Sequence, residues 1–313
     1  MSTQPVVTDA REAAERLRRL AYDAWRERRF EAAERLYRLA LGYGAQVKMA
    51  LGVVLLAQGR LEEAWPLYDE RENRLRVVRQ RLRTPEWRGE DLAGKRLAVW
   101  REQGFGDEIL FSRFLPRLGG AVTYIGDPDL ERLFRTLGVD YRATTEGASL
   151  DGFDFWVAAT SIPGRLGVTA RDVPRPPYLA AAPRQAGGRI GVMASGNPAN
   201  PNQAYRALPA EYADELLALP GAIHLAPEAT GARDFLDTAE IIAGLDVVVS
   251  VDTSVAHLAA AMGKRCFVLL SAHRLDWVWD AGLWYPDARL FRQPAPGDWR
   301  SVIDEVKAAL ASI

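Results

Sequence analysis

One cysteine, three histidines and almost no net charge in 313 residues remove several classes of protein at once. A lone Cys266 cannot build a disulfide framework or a cysteine metal cluster, and its place inside CFVLL reads as a buried core thiol. His224, His257 and His273 lie far apart and show no zinc-ligand spacing. A formal charge of −1 gives no field that would draw the chain to nucleic acid or to an anionic membrane. No apolar run approaches the ~20 residues that a membrane span needs. The first twenty residues, MSTQPVVTDAREAAERLRRL, lack the apolar core of a signal peptide. These absences give the expectation of a cytoplasmic protein. What is present is ordinary for a folded chain. Hydrophobic residues make up 48% and charged residues 26%, which excludes wholesale disorder, and the length predicts about two domains.

The chain changes character along its length. Residues 1–83 read as helices, with apolar positions at helical spacing among Ala, Leu, Arg and Glu. A weak repeat runs through them. Ala21 stands twelve residues before Ala33, and Gly52 twelve before Ala64. Each second Ala is followed four residues later by a Tyr, Tyr37 and Tyr68. Small residues at those positions let two helices approach closely, with the Tyr filling the groove beside them. RRFEAAERLYRLAL and QGRLEEAWPLYDER resemble tetratricopeptide (TPR) repeats, about two at most. A generic helical hairpin fits the same spacing. So few repeats bury little surface alone, so the segment is expected to dock on the rest of the chain. Residues 84–95 have Pro and Gly without periodicity and read as a linker anchored by Trp87.

From Arg96 short apolar runs alternate with amphipathic stretches. The expected strands are 96–100, 121–125, 153–158, 189–194, 222–226, 247–251, 266–270 and 288–291, with helical patterns between most of them. Such alternation predicts parallel sheet covered by helices on both faces. The Pro- and Ala-rich stretch 172–188 divides the alternation in two. The expected fold class is therefore α/β, with two Rossmann-like lobes across a cleft (96–180 and 181–313). A short all-α TPR-like segment precedes them, and a C-terminal helix from Trp299 packs across the end.

Four segments carry candidate chemistry. In VVVSVDTSVAHLAAAMG, Val247 to Gly263, a strand with β-branched residues on both faces leads through Asp252 and Thr253 into a helix ending near Gly263. Ligands in such folds bind beyond the carboxyl ends of strands, and a helix N-terminus there suits a phosphate. Thr253 and Ser254 add hydroxyls, and His257 lies one turn in. The alternative is a simple N-cap at Asp252 or Thr253 with a satisfied His257. In REQGFGDEILFSRF, Gly104 and Gly106 allow a tight turn. Asp107 is placed at the helix N-cap, where its carboxylate could accept a proton from an attacking hydroxyl. The helix dipole is expected to lower its pKa and weaken it as a base, and a purely structural cap is the other reading. The loop ASGNPANPNQAYRALP holds one strong cation, Arg206, suited to a phosphate or simply a surface charge. The aromatic cluster of HRLDWVWDAGLWYPDARLFRQ is read as a hydrophobic seam under the C-terminal helix in preference to a stacking platform for a base or sugar.

In this order these segments resemble the lipopolysaccharide heptosyltransferase family, in its branch with tetratricopeptide repeats ahead of the transferase domain. The resemblance implies a GT-B fold and transfer of a sugar from a nucleotide sugar to a hydroxyl, with inversion, without a catalytic metal and without a cofactor. It makes Asp107 of the GFGD turn the base, in a cleft loop with Gln103, Gly104 and Gly106. It places the donor diphosphate at Asp252, Thr253, Ser254, Val255 and His257, with Asn197 and Arg206 in the loop after the second lobe's first strand. Ser254 stands where heptosyltransferases typically have Gly. Met193-Ala194-Ser195-Gly196-Asn197 lacks the family's Trp, and Gln203-Ala204-Tyr205-Arg206-Ala207 replaces an Asp-Arg-x-Arg-Ser run.

The leading expectation is thus an inverting, metal-independent glycosyltransferase. Its partners are a nucleotide sugar and a protein acceptor, such as a surface or flagellar protein, held by the repeat-like helices. The first lobe's short length, about 90 residues, favours a protein acceptor over a large glycolipid. The altered 203–207 run motivates a second reading, a catalytically inactive TPR/GT-B scaffold or binding protein. A nucleotide-sugar epimerase with a related two-lobed fold is a third.

Overall fold

The computed structural model describes residues 4–79, 82–144, 149–184, 190–273 and 276–312. The chain falls into two compact units. One comprises Met1–Gln80, Leu166–Val173 and His273–Trp284; the other comprises Arg81–Arg165, Pro174–Ala272 and Tyr285–Ile313. The units do not follow the sequence boundaries at 83, 95 and 180: both sheets lie in one unit, and the helical unit takes in two later segments.

The helical unit begins with α1 (Gln4–Arg26), α2 (Phe30–Gly42), α3 (Lys48–Ala57), α4 (Leu61–Tyr68) and α5 (Glu72–Arg79). α1 packs on α2, α2 on α3 and α3 on α4. The small residues of the repeat mark the close approaches: Ala21, Ala33 and Ala64 are fully buried. A Cβ at Gly52 would lie 2.8 Å from the Tyr68 backbone nitrogen. Tyr37 and Tyr68 are buried beside them.

The aromatic cluster is a seam, but not the one expected. Trp284 packs edge-on against Trp65 at 6.2 Å and Trp277 against Tyr68 at 6.1 Å. The Trp65 indole N–H donates to the Val168 carbonyl at 2.9 Å, and Arg28 pairs with Asp280 at 2.6 Å. These tryptophans therefore complete the core of the helical unit; they do not underlie the C-terminal helix. Local periodicity could not show this, because the partners are more than 200 residues away in sequence. The 273–293 segment includes residues 274–275, which lie outside the described residues.

The second unit holds two parallel sheets. The first is built from β1 (Arg96–Trp100), α6 (Phe105–Ser112), β2 (Ala121–Gly126), α7 (Pro128–Arg135), β3 (Asp140–Ala143), β4 (Phe155–Ala158) and the short α8 (Ile162–Arg165). Its strand order is β3-β2-β1-β4. β3 was not expected from the sequence: it is an edge strand of four residues, DYRA, with one buried side chain, too short and polar to stand out. The 84–95 segment is more than a spacer. The Trp87 backbone N–H donates to the Trp156 carbonyl at 2.7 Å, and the Trp156 N–H to the Pro85 carbonyl at 3.0 Å. This parallel contact on β4 buries Trp87.

The second sheet is built from β5 (Ile190–Met193), α9 (Gln203–Arg206), α10 (Ala210–Leu217), β6 (Ala222–His224), α11 (Pro227–Thr230), α12 (Phe235–Ala243), β7 (Val247–Val251), α13 (Ser254–Ala261), β8 (Cys266–Leu270), β9 (Arg289–Arg292) and α14 (Trp299–Leu310). Its order is β6-β5-β7-β8-β9. The expected start of β5 at Arg189 lies outside the described residues, as do 185–188 of the Pro-rich stretch. All five residues of β7 are buried, as its β-branched run predicts for a central strand, each Val contributing about 1.5–3 kcal/mol of burial. α14 lays Trp299, Val302, Ile303 and Val306 into the same core as Val192, Val249 and Phe267. Cys266 is buried at the start of β8, and burial raises its thiol to about 12.

The two sheets are joined helix to helix: α6 packs on α13 and α7 on α12. Phe105 and Phe235 meet with ring centroids 4.9 Å apart. Arg132 donates to both Asp234 and Asp237 at 2.8 Å. Among the described residues no helix is long and apolar enough to cross a membrane.

Candidate active site

In each sheet the strand order reverses once, between β1 and β4 and between β5 and β7. At such a switch point the loops leave in opposite directions and open a crevice at the carboxyl ends of the strands. The segments singled out in the sequence follow the strands at these two points: 101–107 after β1, 194–209 after β5 and 252–257 after β7.

At the second switch point Arg206 bridges the crevice. Its guanidinium donates to the Asp252 backbone carbonyl at 3.0 Å and to the Gln203 side chain at 3.1 Å. It lies so close over the loop that a Cβ on Gly196 would come within 2.7 Å of it. Asn197 is exposed, and its side-chain oxygen accepts from the Ala199 N–H at 2.9 Å, an Asx turn that shapes the loop. Thr253 occupies the N-cap position of α13 in extended conformation but makes no side-chain cap bond. Its hydroxyl lies 3.0 Å from the Ser250 hydroxyl instead. The Thr253 side chain thus does not cap α13, and backbone N–H groups at a helix N-terminus suit an anion. Val255 is buried and Ser254 half-buried on its first turn.

His257 is buried one turn further on. Its Nδ1 lies 3.2 Å from the Tyr285 hydroxyl and its Nε2 4.0 Å from the Asp252 carboxylate. Burial, reinforced by the positive charges of Arg113 and Arg206, lowers its pKa to about 3. The imidazole is therefore neutral at physiological pH.

Asp107 differs from its sequence expectation in two respects. The N-cap of α6 is Gly104, and Asp107 sits at the third helical position. There its carboxylate accepts the Gly104 N–H at 3.3 Å, the returning arm of a capping box. Its pKa is raised, not lowered: to about 6, chiefly by desolvation, with the charges of Asp252 and Glu102 adding to it. The backbone bond from Gly104 opposes the shift without cancelling it. A carboxyl poised near 6 is better matched to proton abstraction at neutral pH than an ordinary one. Gln103, just before this turn, has a left-handed backbone with φ 67°, a cost of about 1 kcal/mol for a non-glycine residue.

The sequence reading missed the groups that support this site. Glu102 is buried and accepts the Thr160 hydroxyl, tying together the loops after β1 and β4. Glu108 is fully buried, pairs with Arg101 at 3.2 Å and accepts the Tyr124 hydroxyl at 2.9 Å; burial raises it to about 7. Arg113, Tyr178 and Tyr285 form a polar chain ending on His257. Arg113 and Tyr285 lay inside segments already singled out, but only a buried arginine amid apolar helical positions marked the first of them.

Residues 186–276 match the sequence model of glycosyltransferase family 9 (heptosyltransferase). The matched stretch contains Asn197, Arg206 and the turn from Asp252 to His257, while Asp107 lies outside it. The chain is also similar to Protein FlbA of Caulobacter vibrioides, at 26% identity over 329 aligned residues, 85% of this chain and 55% of the relative. It therefore spans about half the length of that relative. Among solved structures it is similar to a family 9 glycosyltransferase from Veillonella parvula, at 13% identity and a TM-score of 0.47, covering 69% of this chain and 92% of that one. It is also similar to the iron-containing dodecameric glycosyltransferase TibC from enterotoxigenic E. coli, at 14% identity and a TM-score of 0.44, covering 71% and 78%.

Proposed function

We propose that this chain is an inverting glycosyltransferase of GT-B type that moves a sugar from a nucleotide sugar to an acceptor hydroxyl without a catalytic metal. The observation that carries the reading is the meeting of two loops. Asp107, raised to about 6, stands on α6, which packs on α13, and α13 opens at the Asp252–Thr253 turn, inside the stretch that matches glycosyltransferase family 9. In this reading that turn holds the donor diphosphate.

In the proposed reaction the donor diphosphate lies on the first turn of α13, with Arg206 beside it. The Asp107 carboxylate takes the proton of the acceptor hydroxyl. That oxygen attacks the anomeric carbon from the face opposite the diphosphate, and the bond to the diphosphate breaks with its electron pair. The backbone N–H groups of α13 and the Arg206 guanidinium meet the negative charge that develops on the leaving group. The helical unit, with its TPR-like close-packed pairs, presents a protein acceptor in this reading, and the reaction takes place in the cytoplasm.

Calorimetry with ADP, UDP and GDP, followed by assay of the matching nucleotide sugars, tests the proposal. Binding of one diphosphate, with transfer lost in Asp107→Ala, supports it. Full turnover by Asp107→Ala overturns the base assignment. One observation favours a scaffold instead: Arg206 is already engaged with Gln203 and the Asp252 carbonyl, in a loop where Ala204 stands at the first arginine of the Asp-Arg-x-Arg-Ser run. Absence of binding to all three diphosphates would favour that reading.

A further inference from the structure

Tyr285 approaches the site from outside the three segments that follow β1, β5 and β7, and its environment is unusual for a tyrosine. It is buried, its hydroxyl lies 3.2 Å from His257 Nδ1 and 3.1 Å from the Tyr178 hydroxyl, and its ring meets the His257 ring edge-on at 5.5 Å. Behind it stands Arg113, only 2% exposed. The Arg113 guanidinium donates to the Tyr178 hydroxyl and to the Pro174 carbonyl, both at 3.0 Å. It lies over the rings of Tyr178 at 4.5 Å and Tyr285 at 4.9 Å. Arg113 follows α6 of the first sheet, whereas His257 is on α13 of the second.

This chain has a direction. Arg113 can only donate, so the Tyr178 oxygen receives and the Tyr178 proton is directed onward, to Tyr285 or to the Ile109 carbonyl at 3.2 Å. On the far side the Asp252 carboxylate lies 4.0 Å from His257 Nε2. That is too long for a hydrogen bond, but the negative charge favours a proton on Nε2 over a bare lone pair. Arg113 also hydrogen-bonds the Tyr285 hydroxyl, so that oxygen receives and its own proton is available to Nδ1. Together with the Asp252 charge this favours the tautomer with Tyr285 donating to Nδ1 and Nε2 carrying the hydrogen. Nε2 also faces the seam between the two loops, since a Cβ on Gly106 would lie 3.2 Å from it.

We propose that Tyr285, held by Tyr178 and Arg113, is a positioning residue that fixes His257 as the Nε2–H tautomer, so that the imidazole offers a neutral donor to an oxygen of the donor diphosphate. The ligand half of this inference rests on the glycosyltransferase reading; the tautomer half does not. A bonded second nitrogen is what sets which ring nitrogen carries the proton, and loss of one such bond corresponds to about a tenfold change in affinity.

Nitrogen-15 NMR of the histidine-labelled full chain tests both halves. The three histidines are distinguished by a His257→Gln variant. The expected spectrum of the unmodified chain shows His257 neutral at pH 7 with its proton on Nε2. In Tyr285→Phe the two tautomers become mixed, and affinity for the diphosphate that the unmodified chain binds falls about tenfold. A proton on Nδ1 in the unmodified chain overturns the proposal, as does an unchanged tautomer in Tyr285→Phe. If the spectra are as expected but the unmodified chain binds none of ADP, UDP and GDP, the positioning chain stands and the donor-site reading fails. If the unmodified chain binds and Tyr285→Phe binds equally well, the donor site stands and the positioning role is overturned.

Discussion

A Cβ placed on Gly106 would lie 2.9 Å from His257 Cδ2. Gly106 is in the first turn of the helix after β1 and His257 in the helix after β7, so the helices of the two sheets pack tightly where the two candidate-site loops lead into them. Elsewhere in a helix, Gly→Ala is usually stabilising. Here Gly106→Ala is expected to lower stability by about 1–3 kcal/mol, because the ring it meets is held by Tyr285 and cannot swing away without breaking that bond. Chemical denaturation measures the loss, and a more stable Gly106→Ala chain would contradict the packing.

The raised Asp107 carboxyl gives a pH signature. Its folded-state pKa of about 6 lies above the ordinary 3.8. Its favourable contribution is therefore fully present below pH ~3.8 and lost as pH rises through about 6. Above pH 6 the ionised group is a strain on the fold. Asp107→Asn is expected to be more stable than the unmodified chain at pH 8 by on the order of 1–2 kcal/mol, with the difference vanishing at pH 4. Denaturant midpoints at the two pH values check this. In the proposed reaction the same group must be ionised, so turnover should rise through about pH 6 while Asp107→Asn shows none.

Arg206 serves the loop as well as any ligand. Arg206→Ala removes its donation to the Asp252 carbonyl and its charge beside α13. Affinity for a nucleoside diphosphate is expected to fall about ten- to a hundredfold, more in low salt than in high. Calorimetry at two salt concentrations reads both effects, and equal binding by the variant would remove Arg206 from the donor site.

Trp284 tests the helical unit separately. It is fully buried against Trp65 and Trp277. Trp284→Ala is expected to cost that unit about 3–5 kcal/mol. Hydrogen exchange should quicken across α3 and α4, while β5, β7 and β8 keep their protection. Uniform loss of protection across both units would show that they unfold together.

The sequence carried most of the local structure. Strand–helix alternation gave two parallel sheets because a strand buried on both faces must be apolar throughout, as VVVSV and CFVLL are. Small residues twelve apart marked the close helix contacts because only they permit the approach, as Gly52 against Tyr68 shows. The same logic singled out Arg206, Asp252 and His257, which the fold brings together at the end of β7. It did not reach β3, whose four mostly solvated residues have little pattern to read.

Distance in sequence set the limit. Whether Trp277 and Trp284 lay under α14 or against Trp65 and Tyr68 depended on which surface was left to cover, and only the tertiary structure decided it. The sign of the Asp107 shift was decided the same way. The helix dipole, a local effect legible in sequence, predicted a stronger acid. Desolvation and the charges of Asp252 and Glu102, brought in by the fold, outweighed it because burial penalises a carboxylate more than one turn of helix can compensate.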